Sequence, residues 1–123
     1  MTKLLSFVGT GQLYDTIYRL NGEEYHTAVV QEALCRYYKP DEVVLFVTRE
    51  ARSRNLPIIE AAIPSTPITI VDIPDGKCED EIWDIFSIVT DSVHENDDII
   101  FDITHGFRSL PFIALLSIAY LRE

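Results

Sequence analysis

Four short apolar runs, Leu4–Val8, Glu42–Val47, Ile68–Ile73 and Asp98–Ile103, are separated by segments with helical spacing or turn residues. Each run reads as a buried strand. The last, DIIFDI, is nearly unbroken, as in a parallel strand covered on both faces. Parallel strands need long crossovers, and the intervening segments supply them. The pattern predicts an α/β fold: a Rossmann-like, doubly wound, mainly parallel sheet in a single domain over residues 1–123.

Local signals refine this outline. Asn21-Gly22 stands between Tyr14–Leu20 and Glu23–His26, which predicts a β-hairpin inserted after the first strand, because both central turn residues need positive φ. A helix is expected over Thr27–Tyr38, with Ala28, Val29, Ala33, Leu34 and Tyr37 on one face and Lys39-Pro40-Asp41 as its stop. Thr48 is placed to cap a polar helix that Asn55-Leu56-Pro57 breaks, and residues 58–67 are ambiguous. Pro74-Asp75-Gly76 closes the third strand. Ile82, Ile85, Phe86, Val89 and Val93 form the apolar face of a helix over Glu79–Glu95. A final helix, Ser109–Arg122, is apolar nearly all round, so it is expected to be covered by the sheet on one side and by a second copy of the chain on the other. Because the chain stops on that helix, it is expected to be either a fragment of a larger protein or a domain that dimerises through the helix.

Charge and cysteine usage narrow the partners. Ten Lys+Arg face twenty Asp+Glu, a net charge of -10, which argues against duplex nucleic acid but not against a small anion in one local pocket. Half the acids fall in residues 72–98, the pattern of a solvated helix face. Cys35 and Cys78 form no CxxC pair, and are expected to be small buried hydrophobes or reduced thiols; no metal or cofactor is expected. The longest apolar stretch, Leu110–Leu121, is shorter than the ~20 residues of a membrane span, and no signal peptide is visible. A cytoplasmic location is expected.

Open α/β sheets bind ligands beyond the carboxyl ends of their strands. Three such ends carry special residues: Gly9-Thr10-Gly11; Thr48-Arg49 with Arg52, Arg54 and Asn55; and the segment DITHGFR, residues 102–108. The GTG either lets a backbone approach phosphate or makes a tight strand exit. The arginines either serve a site or pair with surface acids such as Glu50. Thr104, His105, Gly106 and Arg108 bring a hydroxyl, an imidazole, a glycine and a guanidinium to the start of a helix, which is the most specific constellation in the chain. There is no GxSxG, Walker A or HExxH motif, and Ser6 and Cys35 lie inside expected elements without an obvious base.

Taken together, SFVGTG, the Tyr-rich hairpin, TAVVQEAL, VTREARSRN and DITHGFRSLP resemble the CARF domain, the CRISPR-associated Rossmann fold. They are most similar to the type III CRISPR accessory proteins that carry a DxTHGxR signature. The likeness spans residues 3–121. It implies a homodimeric sensor of cyclic oligoadenylate, most simply cyclic tetra-adenylate, held across the two-fold axis. By that resemblance Gly9, Thr10 and Gly11 line one loop, Thr104, His105, Gly106 and Arg108 form the second, and Thr48 and Asn55 flank the adenines. Family members usually attach a C-terminal effector, most often a HEPN ribonuclease, whose RxxxxH motif is absent here, so the resemblance implies that this chain is the N-terminal sensor part of a longer protein.

Two readings of the activity stay open. One is a binding module that switches an effector. The other is a metal-independent ring nuclease, in which a ribose 2′-OH of the ligand attacks the adjacent phosphate, Arg108 stabilises the developing charge and His105 acts as acid or base. A module for another mononucleotide is weaker, because GxGxxG and a ribose-binding acid are missing.

Overall fold

The computed structural model of the chain describes residues 1–94 and 96–102. The elements run β1 (Thr2–Phe7), β2 (Thr16–Leu20), β3 (Glu23–Thr27), α1 (Val30–Tyr38), β4 (Glu42–Val47), α2 (Arg49–Arg54), α3 (Leu56–Ala62), β5 (Ile68–Asp72), α4 (Glu79–Asp91) and β6 (Asp98–Asp102). Four strands form one sheet in the order β5-β4-β1-β6, every pair parallel. The expected α/β architecture is present.

Alternation along the strands explains why helices lie on both faces. Leu4, Val43, Leu45 and Val47 point to one side and pack with Val29, Ala51, Leu56 and Ile59 from the segments of α1, α2 and α3. Leu5, Phe7, Val44 and Phe46 point to the other and pack with Ile85 and Val89 of α4. β4 is therefore apolar at every position after Glu42, and β6 pairs with β1, its half-buried Ile100 packing on the first core and its half-buried Ile99 and Phe101 on the second. β6 thus meets a core on each face of the sheet.

The hairpin forms as expected. Leu20 faces Glu23, Thr16 faces Thr27, and the turn residues Asn21 and Gly22 have φ of 50° and 82°. Thr27 ends β3 instead of starting the helix; its Oγ1 accepts from the Val29 amide at 3.1 Å, and α1 begins at Val30. Lys39 stops α1 in the left-handed conformation, donating its N–H to the Cys35 carbonyl.

Three further expectations change. Residues 56–62, read as a break followed by ambiguity, are helical. Pro57 sits in the first turn, where its missing N–H costs nothing, and Ile59 donates to the Asn55 carbonyl. The helix α4 ends at Asp91, not at residue 95. Its start is tied by Glu81, whose carboxylate accepts from the amides of Gly76 and Lys77; Gly76 has φ of 76°, and a Cβ there would meet Ile85 at 3.3 Å. Cys78 is exposed and Cys35 only partly covered, so neither is a buried core residue. The helix expected over Ser109–Arg122 lies outside the described residues.

Candidate functional site at the carboxyl edge of the sheet

The parallel register sets the geometry of the edge. Ser6 of β1 faces Asp102 of β6 on one side and Leu45 of β4 on the other. Two strands that run in step end in step, so the chain leaves β1 toward Gly9 and β6 toward residue 103 from neighbouring points. On the other side of β1, the Val8 amide still donates to the Phe46 carbonyl, which keeps the exits of β1 and β4 together.

The first loop is held from below. Asn55, 6% exposed at the junction of α2 and α3, donates from Nδ2 to the carbonyl of Gly9 at 2.5 Å and of Gly11 at 2.9 Å. Arg54 approaches the Thr10 carbonyl at 3.5 Å through Nη1. Gly9 and Thr10 are half-buried and Gly11 is exposed. Gly11 has no neighbour within 4 Å of an added Cβ, so this glycine leaves open backbone at the surface.

Thr48 behaves as the sequence predicts. Its Oγ1 caps α2 by accepting from the Ala51 amide at 3.3 Å. It is 3% exposed, so Thr48 and Asn55 both act chiefly inside the fold. The arginines divide. Arg52 binds Asp72 at the end of β5, with an N–O distance of 2.7 Å, and Arg54 pairs with Glu50 at 3.4 Å. Both follow the surface-pairing alternative. Arg49 is exposed and makes no ion pair among the described residues.

Beneath the edge lies a polar chain that sequence reasoning missed. Ser6 Oγ donates to Asp102 Oδ2 at 2.7 Å, and Gln31 Nε2 donates to Ser6 Oγ at 3.0 Å. All three side chains are buried. The available signals were a lone serine within the apolar run LLSFV and an acid opening DITHGFR. The partner Gln31 was not legible, because it lies 25 positions away on a helix whose first turn was misplaced. Thr104, His105, Gly106 and Arg108 lie outside the described residues. Among the described residues, no cluster of three His, Cys, Asp or Glu side chains is placed to hold a metal ion, and no helix is long and apolar enough to cross a membrane.

No family model matches the chain. A stretch of 50 residues is 38% identical to the CRISPR-associated protein MJ1674 of Methanocaldococcus jannaschii, covering 38% of this chain and 8% of that protein. The whole chain superposes on 31% of the structure of Enterococcus italicus Csm6 bound to cyclic hexa-2′-fluoro-hexa-dAMP, with a TM-score of 0.67 and 18% identity. The chain therefore spans under a tenth of the curated relative and about a third of the solved one, and it shares with the latter its α/β fold.

Proposed function

We propose that the chain is a CARF-type sensor domain that binds cyclic oligoadenylate, most simply cyclic tetra-adenylate, at a homodimer interface and thereby switches an attached type III CRISPR effector. The observation that carries the reading is the register of β1 and β6. It ends β1 and β6 side by side, Ser6 opposite Asp102, at the end of the sheet where open α/β sheets take ligands, and this supports reading Gly9–Gly11 and Thr104–Arg108 as one site. The likeness in fold to a Csm6 bound to a cyclic oligoadenylate analogue supports the choice of ligand.

In this reading the backbone of Gly9, Thr10 and Gly11 and the groups of Thr104, His105, Gly106 and Arg108 meet the ring. Thr48 and Asn55 serve mainly from beneath; the Thr48 O–H proton and the Asn55 Oδ1 are the groups they keep for an adenine edge. A dimer doubles each loop, so one Arg108 per chain becomes two around a small polyanion, which needs no basic surface. The location is the cytoplasm, where the messenger is made.

The test is incubation with cyclic tri-, tetra- and hexa-adenylate, followed by chromatography. Retained, intact ring supports the sensor. Linear product supports the second reading, a ring nuclease using Arg108 and His105. No interaction with any ring removes both.

A further inference from the structure

We propose that Arg49 is a phosphate-binding residue of the site at the carboxyl edge, meeting the phosphodiester backbone of the ring. The inference rests on the binding reading above for its ligand. It starts from how the cations of the chain are used. The sequence holds ten Lys and Arg, of which all but Arg108 and Arg122 fall among the described residues. Lys3, Arg19, Arg36, Arg52, Arg54 and Lys77 each pair with a carboxylate. Lys39 and Arg49 make no ion pair among the described residues. In a chain of net charge -10, an exposed guanidinium without a carboxylate is a charge open to an anion from outside the chain.

Place in the fold separates Arg49 from Lys39. Lys39 stops α1 just before β4 begins at Glu42, so it stands at the amino end of the sheet. Arg49 opens α2 just after β4 ends at Val47, at the carboxyl edge. The strand between them spans about 20 Å, so the two cations occupy opposite ends of the fold. Around Arg49 the neighbouring charges cancel in pairs. Arg52 takes up Asp72 at 2.7 Å, and Arg54 takes up Glu50 at 3.4 Å. Such exposed pairs add little stability, but they leave the charge of Arg49 uncompensated among the described residues. The same short helix also leads to the first loop. Asn55, its C-cap, donates to the carbonyls of Gly9 and Gly11. At 1.5 Å per residue, Arg49 stands about 9 Å from Asn55 along the helix. A planar guanidinium that stays charged and offers paired donors suits a phosphodiester at that range from the glycine loop.

Equilibrium binding of cyclic tri-, tetra- and hexa-adenylate over a range of salt concentrations tests this. Arg49→Ala should keep the wild-type melting temperature, because the side chain is exposed and unpaired among the described residues. Its affinity for the ring that binds should fall about tenfold, the scale of a hydrogen bond to a charged group. The slope of log affinity against log salt should become shallower by about one for each arginine the ring meets. Arg49→Lys should recover the slope but only part of the affinity, since it keeps the charge and not the fork. Lys39→Gln removes the same charge at the far end of the sheet and should match the wild type in both. Wild-type affinity and slope in Arg49→Ala overturn the proposal and leave the binding reading standing. So does an equal loss in Lys39→Gln, the mark of net charge acting at long range. Should Arg49→Ala fail to fold, Arg49→Gln is set against Arg49→Lys: a shallower slope in the Gln variant alone supports the contact, and equal slopes overturn it. A wild-type protein that binds no ring refutes the binding reading itself, and the ligand assigned to Arg49 with it.

Discussion

Asn55 holds Gly9 across 46 positions of chain, its amide nitrogen 2.5 Å from the glycine carbonyl, and the same nitrogen reaches Gly11 at 2.9 Å. One side chain at a helix junction thus satisfies two carbonyls of a loop that has no regular structure of its own. Replacing it with Ala leaves both carbonyls without that donor. Asn55→Ala is expected to lose about 1 kcal/mol of stability, the scale of lost, partly buried hydrogen bonds, measured by urea unfolding. Ligand affinity should fall with it, because the loop is no longer held.

Arg108 and His105 should separate binding from chemistry. Arg108→Ala is expected to weaken ring binding by about 1–3 kcal/mol, as for a hydrogen bond to a charged group. It should also lower the salt dependence of affinity, since the phosphate contact proposed for it would be gone. His105→Ala should keep the fold; if the ring is cleaved, it should lose single-turnover rate by more than it loses affinity. Wild-type affinity in Arg108→Ala contradicts the assignment of this loop.

The proposed ligand site, shared across a two-fold axis, requires a dimer. Sedimentation at micromolar concentration is expected to give a species of twice the chain mass. A monomer under those conditions speaks against a ligand shared across an axis.

The two thiols should differ in reactivity. Burial, helped by the nearby Glu32 charge, pushes the Cys35 thiol up to about 11, whereas Cys78 is exposed. Iodoacetamide at mildly alkaline pH should label Cys78 first and Cys35 slowly, since the thiolate is the nucleophile. The folded state favours the protonated Cys35. Its contribution to stability is complete below the ordinary thiol value of 9.0 and is lost as pH rises toward about 11. Cys35→Ser should flatten that alkaline loss in a pH series of melts.

At the amino end of the sheet, Asp97 is held below the usual carboxylate range by the His94 amide, which donates to it at 3.0 Å, and by Lys3, also at 3.0 Å. A lowered folded value means stability that is present above the ordinary 3.8 and lost as pH falls through the folded value. Asp97→Asn should therefore lose less stability than the wild type between pH 6 and pH 3. It should also melt lower at pH 6, because among the described residues the buried Lys3 then keeps only Glu42, at 3.8 Å.

Much of the fold was written in local signals. The strands announced themselves because buried parallel strands are apolar at nearly every position, and Asn21-Gly22 named its own turn through backbone sterics. Thr48 could be read as a cap because capping spans only three residues. Residues 56–62 were harder: Pro57 reads alike as a helix breaker and a helix first turn, and only the packing of Leu56 and Ile59 into the core decides between them.

Local signals alone laid out the four strands of the sheet, the hairpin, and which loops carry glycine, threonine and arginine. The tertiary structure decided which of those groups are already taken. Arg52 is committed to Asp72, Asn55 to the first loop, and Ser6 to both Asp102 and Gln31. The reason is distance along the chain. Ser6 and Asp102 are 96 positions apart, and nothing local to either residue specifies the other. They meet only because β6 pairs with β1 in one register, and that register is set by the packing of the whole sheet.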